Sequence, residues 1–175
     1  MDPRHEKIAH IALSAAGTYG FALAGGYAVS AHGMIRNETF ARLLLAQDSL
    51  PDQEPDKLEL CADWRAHPPV QLSIGPVLHP DDAVANKMGA LFGRAEARDF
   101  LDVDAAITSG RFSRERLLEL AAATDGGFDR TVFANALASL RGITDADFDM
   151  YGVTADELAA MRARFSDWCD DLRTE

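Results

Sequence analysis

A chain of 175 residues and 19.0 kDa is about one domain of polypeptide, large enough to bury a core without disulfide or metal staples. Its 47% hydrophobic and 26% charged residues give a globular composition, not that of a disordered chain. No apolar run approaches the roughly 18–20 residues of a membrane helix. The net charge is −11; from residue 101 onward 15 acids face 8 bases, which leaves −4 for residues 1–100. That balance excludes broad nucleic-acid binding through a basic face, while leaving room for a local basic pocket. The opening MDPRHEKIAH lacks an apolar segment, so no secretory leader is expected. Cys61 and Cys169, far apart and without a CxxC pattern, read as free thiols in a reducing cytoplasm.

Ile8, Ile11, Ala12 and Ala15 recur at helical spacing and predict a helix over 4–16. Phe21 to Ala24 is a short apolar run ending in Gly25-Gly26, and Tyr27 to His32 then reads as a helix closed by Gly33. Phe40 to Ala46 is a second strand candidate. Lys57 to Asp63 alternates, with Leu58, Leu60 and Ala62 on one face. Val70 to Ile74 alternates too, and the two are close enough to pair as a hairpin. Pro80 with Asp81-Asp82 opens a helix reaching Arg94. Further helices are expected from Ser113, Asp129 and Thr154. The last carries a capping box, Thr154 with Glu157, and a stripe of Leu158, Met161, Phe165, Trp168 and Leu172. The expected fold is α+β, with a small mixed sheet and flanking helices over 1–110 and a helical region over 111–175 packed on it.

Gly25-Gly26 between strand and helix is either a plain turn or a place where backbone amides meet a phosphate. Its spacing matches neither GxGxxG nor a P-loop. Lys87 is one of only three lysines, with Ala83, Ala90 and Arg94 on its side of the helix. It suits either a phosphate contact or a stem laid along the helix edge. In Arg94-Ala-Glu-Ala-Arg98-Asp99-Phe-Leu-Asp102, Asp99 and Asp102 share a helix face and need neutralising. Arg98, Arg94 or a bound cation are the candidates, and a solvated salt-bridged face is the plain alternative. Glu59 projects from its strand opposite Leu58 and Leu60, as a metal ligand, a base or an exposed side chain. The five histidines form no HxxxH or HExxH pattern, so no zinc site is expected.

FALAGGYAVSAHG (21–33), KLELCADWRAHPPV (57–70) and VLHPDDAVANKMGALFGRAEARDFLDVDAAI (77–107) together resemble the AbiEii/AbiGii-type nucleotidyltransferases. These are toxin-like members of the polymerase-β-type minimal nucleotidyltransferase superfamily. The resemblance implies transfer of a nucleoside monophosphate from a nucleoside triphosphate, with Mg²⁺, to an acceptor such as the end of a tRNA. It also implies a cytoplasmic protein with an antitoxin partner and no membrane partner. By it, Gly25, Gly26 and Lys87 would hold the triphosphate. Asp99 would act near the reacting centre, organised by Arg98 and Asp102, and Glu59 would be a metal ligand. The family's Arg-x-Ser/Thr-x-Asp-x-Asp run has no counterpart here. The chain reads Arg36-Asn-Glu-Thr39-Phe-Ala-Arg-Leu. Counted from Thr39 the aspartate positions fall on Ala41 and Leu43; counted from Arg36 they fall on Phe40 and Arg42. Glu38 is the nearest acid. A catalytically silent relative that binds a nucleotide or a partner protein is therefore the second reading.

Overall fold

The structure, a computed structural model, describes residues 3–16, 21–24, 28, 32 and 65–174. The expected strands 40–46 and 57–63, the glycine pair and most of the helix after it lie outside the described residues, as do Glu38 and Glu59. Within the described residues the chain runs α1 (Pro3–Ala16), β1 (Val70–Leu72), β2 (Gly75–Val77), α2 (Pro80–Gly93), α3 (Ala97–Thr108), α4 (Arg114–Thr124), α5 (Arg130–Ala138), a 3₁₀ turn (Ser139–Gly142), α6 (Ala146–Asp149) and α7 (Ala155–Thr174). The architecture is α+β, mostly helical, with a two-stranded antiparallel sheet. No helix among the described residues is long and apolar enough to cross a membrane.

One expectation is corrected in this sheet. The strand expected over 70–74 stops at Leu72, because Ser73 and Ile74 make a two-residue turn. Leu72 then pairs with Gly75, and Val70 with Val77. Gly75 has φ +123°, a conformation that L side chains rarely adopt, and a Cβ there would stand 3.0 Å from the Leu13 side chain on α1. Val77 reaches 0% exposure and bridges in parallel to Leu23. The Leu23 N–H donates to the Pro76 carbonyl, and its own carbonyl accepts from the Leu78 N–H. Phe21–Ala24 is therefore attached to the hairpin edge by a single bridge.

The helical half follows the sequence pattern closely. Ser113 caps α4 and Asp129 caps α5 through their side-chain oxygens. Glu157 accepts from the Thr154 N–H at 3.0 Å, and Thr154 accepts from the Glu157 N–H at 3.3 Å, the reciprocal pair of a capping box. All five residues of the α7 stripe are buried. Trp168 meets Phe133 edge to face at 5.3 Å, and Phe165 meets Phe100 likewise at 5.2 Å. These contacts join α7 to α5 and to α3, where aromatic packing adds to area burial. Replacing Ser113 by alanine is expected to cost about 1 kcal/mol, since it frees the Arg116 N–H that Ser113 Oγ accepts at 3.1 Å. Urea denaturation checks this, and an unchanged midpoint would contradict it.

A cation-lined cavity beside two buried ion pairs

α2 presents its apolar side, Ala83, Val84, Met88 and Leu91, to the core. Lys87, Ala90 and Arg94 follow one another along an adjoining face, spaced by three and four residues. The helix expected to reach Arg94 does so: α2 ends at Gly93, with Arg94 at its C-cap and Ala95 at φ +51°, and α3 begins at Ala97. α2 and α3 then pack against each other, which brings the cations of one helix to the carboxylates of the next.

Two ion pairs result. The Arg94 guanidinium donates from Nε to Asp99 Oδ2 at 2.8 Å and from Nη2 to Asp99 Oδ1 at 2.7 Å, a bidentate fork. Asp99 is 0% exposed, and its Oδ2 also accepts the Glu96 N–H at 3.1 Å. This hydrogen bonding holds the Arg94 guanidinium above its already high usual range. One turn further on, Lys87 Nζ lies 2.6 Å from Asp102 Oδ2, with both side chains almost wholly buried. Burial pushes the Asp102 carboxyl up, against the pull of Lys87. The expected Arg98–Asp102 pairing does not form: Arg98 turns outward to Glu96 at 2.8 Å. The plain alternative of a solvated helix face is set aside by the burial of Asp99 and Asp102. A second fork ties α3 to α7, where Arg164 grips Asp104 at 2.7 Å through two bonds.

Lys87 and Arg94 also line a cavity of about 410 Å³, together with Ala24, Gly89, Ala90, Phe92, Thr124, Asp125 and Phe128. Ala24 is the residue just before Gly25-Gly26. Ala24, the last described residue of the edge segment, thus stands on the cavity wall. Gly89 opens directly on it, since a Cβ built there meets nothing within 4 Å. Carboxylates behind the helix pull each cation into a set direction, and that pre-orientation lowers the cost of binding an anion.

The same contacts test the magnesium expectation. Three donors engage Asp99, and Lys87 engages Asp102. Neither offers the open, convergent oxygens that octahedral Mg²⁺ demands. Among the described residues, the carboxylates of the motif serve as buttresses for cations and do not fit a magnesium site.

Two features escaped the sequence reading. Tyr151 is half-buried, within electrostatic reach of Arg98, Glu96, Asp102 and Asp99, and burial pushes its phenol up; no spacing signal leads to it. His67 and His79, which lie apart in the chain, have rings stacked 4.4 Å apart. The signal for that contact lies in the β1–β2 hairpin, whose register returns the chain and sets residues before Val70 beside residues after Val77.

The fold and site together define an α+β chain with a cation-lined cavity between α2, α4 and the 21–24 segment. Comparison with protein-family models, with curated proteins and with solved structures finds no match.

Proposed function

We propose that the chain binds a nucleoside triphosphate in this cavity and acts as a cytoplasmic nucleotidyltransferase of the AbiEii/AbiGii kind, built on that family's mixed-sheet fold. The observation that carries the reading is the coincidence of the resemblance motif with the cavity wall: Lys87 and Arg94 line the cavity, and Asp102 and Asp99 hold them. In the transfer, an acceptor hydroxyl at the end of an RNA such as tRNA attacks the α-phosphorus and pyrophosphate leaves. Lys87 and Arg94 neutralise the phosphate oxygens, and by the resemblance Gly25 and Gly26, outside the described residues, would hold the triphosphate. Asp99 and Asp102 position these cations, while Arg98 pairs with Glu96. Magnesium would supply charge neutralisation when bound; by the resemblance Glu59, outside the described residues, would be its ligand. An antitoxin protein is the partner this reading brings with it.

A second reading, a silent relative that binds the nucleotide without transferring it, is favoured by the Asp-x-Asp register falling on Ala41 and Leu43. Incubation with each labelled nucleoside triphosphate, Mg²⁺ and total tRNA separates the two. Label incorporation that disappears in Gly89→Phe, a variant filling the cavity, supports transfer. Nucleotide binding with no incorporation supports the silent relative. No binding at all would defeat both readings.

A further inference from the structure

The geometry points to a second site away from the cavity lining, a divalent transition-metal centre of the zinc class formed by His67, His79 and Asp81. Each of the three offers one ligand atom, and these atoms lie within 4.8 Å of one another. Two imidazoles and one carboxylate make the donor set of three-ligand zinc sites that keep a fourth position for water or another ligand.

The surroundings are organised as such a site requires. Asp82, buried in the first turn of α2, accepts the Ala66 N–H at 3.1 Å and the His67 N–H at 3.0 Å. Its Oδ1 also lies 3.1 Å from His67 Nδ1. An ionised carboxylate can only accept, so Nδ1 carries the proton and the lone pair of His67 is left on Nε2. This carboxylate–histidine relay fixes tautomer and ring orientation in metal centres. Asp81 is steadied in turn by Arg116, whose Nη2 donates to Asp81 Oδ2 at 2.8 Å. His79 Nδ1 accepts the Asp81 N–H at 3.2 Å, a long bond that metal ligation replaces. Tetrahedral ligation at about 2.0–2.2 Å would draw the three atoms inward from this spacing. The metal would clamp the 65–67 segment onto the start of α2. This inference stands apart from the nucleotide proposal, since none of its residues lines the cavity.

The tag-free full chain, stripped with EDTA, is titrated with Zn²⁺ by calorimetry and with Co²⁺ by visible absorption. One ion per chain is expected, with ligand-field bands of mixed nitrogen and oxygen ligation for cobalt, and a higher melting temperature with zinc. His67→Ala and Asp81→Asn are each expected to weaken Zn²⁺ at least about tenfold, and Asp82→Asn about 10–100-fold. His67 is substantially exposed and Asp81 partly so, so those two variants should still fold and remain readable if Asp82→Asn unfolds. Absence of saturable binding, or wild-type affinity retained in His67→Ala and Asp81→Asn, would overturn the site.

Discussion

Lys87→Ala is expected to destabilise the fold by about 3–5 kcal/mol at neutral pH, the cost of leaving a buried charge without its partner. Expecting a helix-edge lysine, the sequence reading would predict a weaker ligand contact and an intact fold. The structure reverses that, because Lys87 Nζ is 2.6 Å from Asp102 and both side chains are almost wholly buried. Against a typical total of about 5–15 kcal/mol, such a loss brings the variant near unfolding. Its pH dependence identifies the cause. Burial raises the folded Asp102 carboxyl above its ordinary 3.8. A raised folded value contributes stability that is fully present below the unfolded value and lost as pH rises through the folded one. Removing Lys87 raises the carboxyl further and extends that window upward. The deficit of Lys87→Ala should therefore be small near pH 4 and grow toward neutrality in urea titrations. A deficit equal at all pH values would refute the uncompensated-charge account. The double variant Lys87→Met with Asp102→Leu removes both charges and should recover most of the loss.

Asp99→Ala is the second large effect, expected at about 2–4 kcal/mol from lost charge-assisted bonds and an orphaned donor. Three bonds end on this fully buried carboxylate, two from Arg94 and one from the Glu96 N–H. The figure stays below that for Lys87 because Arg94 is 45% exposed and can turn to water. The Glu96 N–H at the start of α3 has less freedom. Asp99→Asn keeps an acceptor and should cost roughly half as much on the same reasoning. Equal stability of Asp99→Ala and wild type in denaturant would contradict the buttress role. The consequence for function follows directly: activity lost in Asp99→Ala reports a misplaced Arg94 as readily as a missing reactive group.

The helical half was legible because its signals are local. Ser113, Asp129 and Thr154 precede apolar residues at helical spacing, and caps of that kind act within one turn. The stripe from Leu158 to Leu172 is buried as its spacing requires. The hairpin was not legible, since Gly75-Pro76-Val77 carries weak strand propensity. The Gly75 conformation shows only once Leu13 is packed against it. At the candidate site the residue types were readable but their partners were not. Spacing along one helix suggested Arg98 for Asp102. The break at Ala95 folds α3 back on α2 and substitutes Lys87, a contact across 15 positions. His67 and His79 eluded pattern reading for the same reason, because their neighbourhood is a product of the hairpin.

The central claim is that the cavity beside Lys87 and Arg94 holds a triphosphate. Calorimetric titration of wild type and Gly89→Phe with each of the four nucleoside triphosphates, with and without Mg²⁺, tests it most directly. Gly89 touches neither buried ion pair, and replacing a helical glycine does not weaken the helix. The fold should therefore persist while the cavity fills. Saturable binding in wild type that falls at least about tenfold in Gly89→Phe, a loss of 1.4 kcal/mol or more, is the predicted result. Equal affinity in the two proteins, or no binding to wild type, would contradict it.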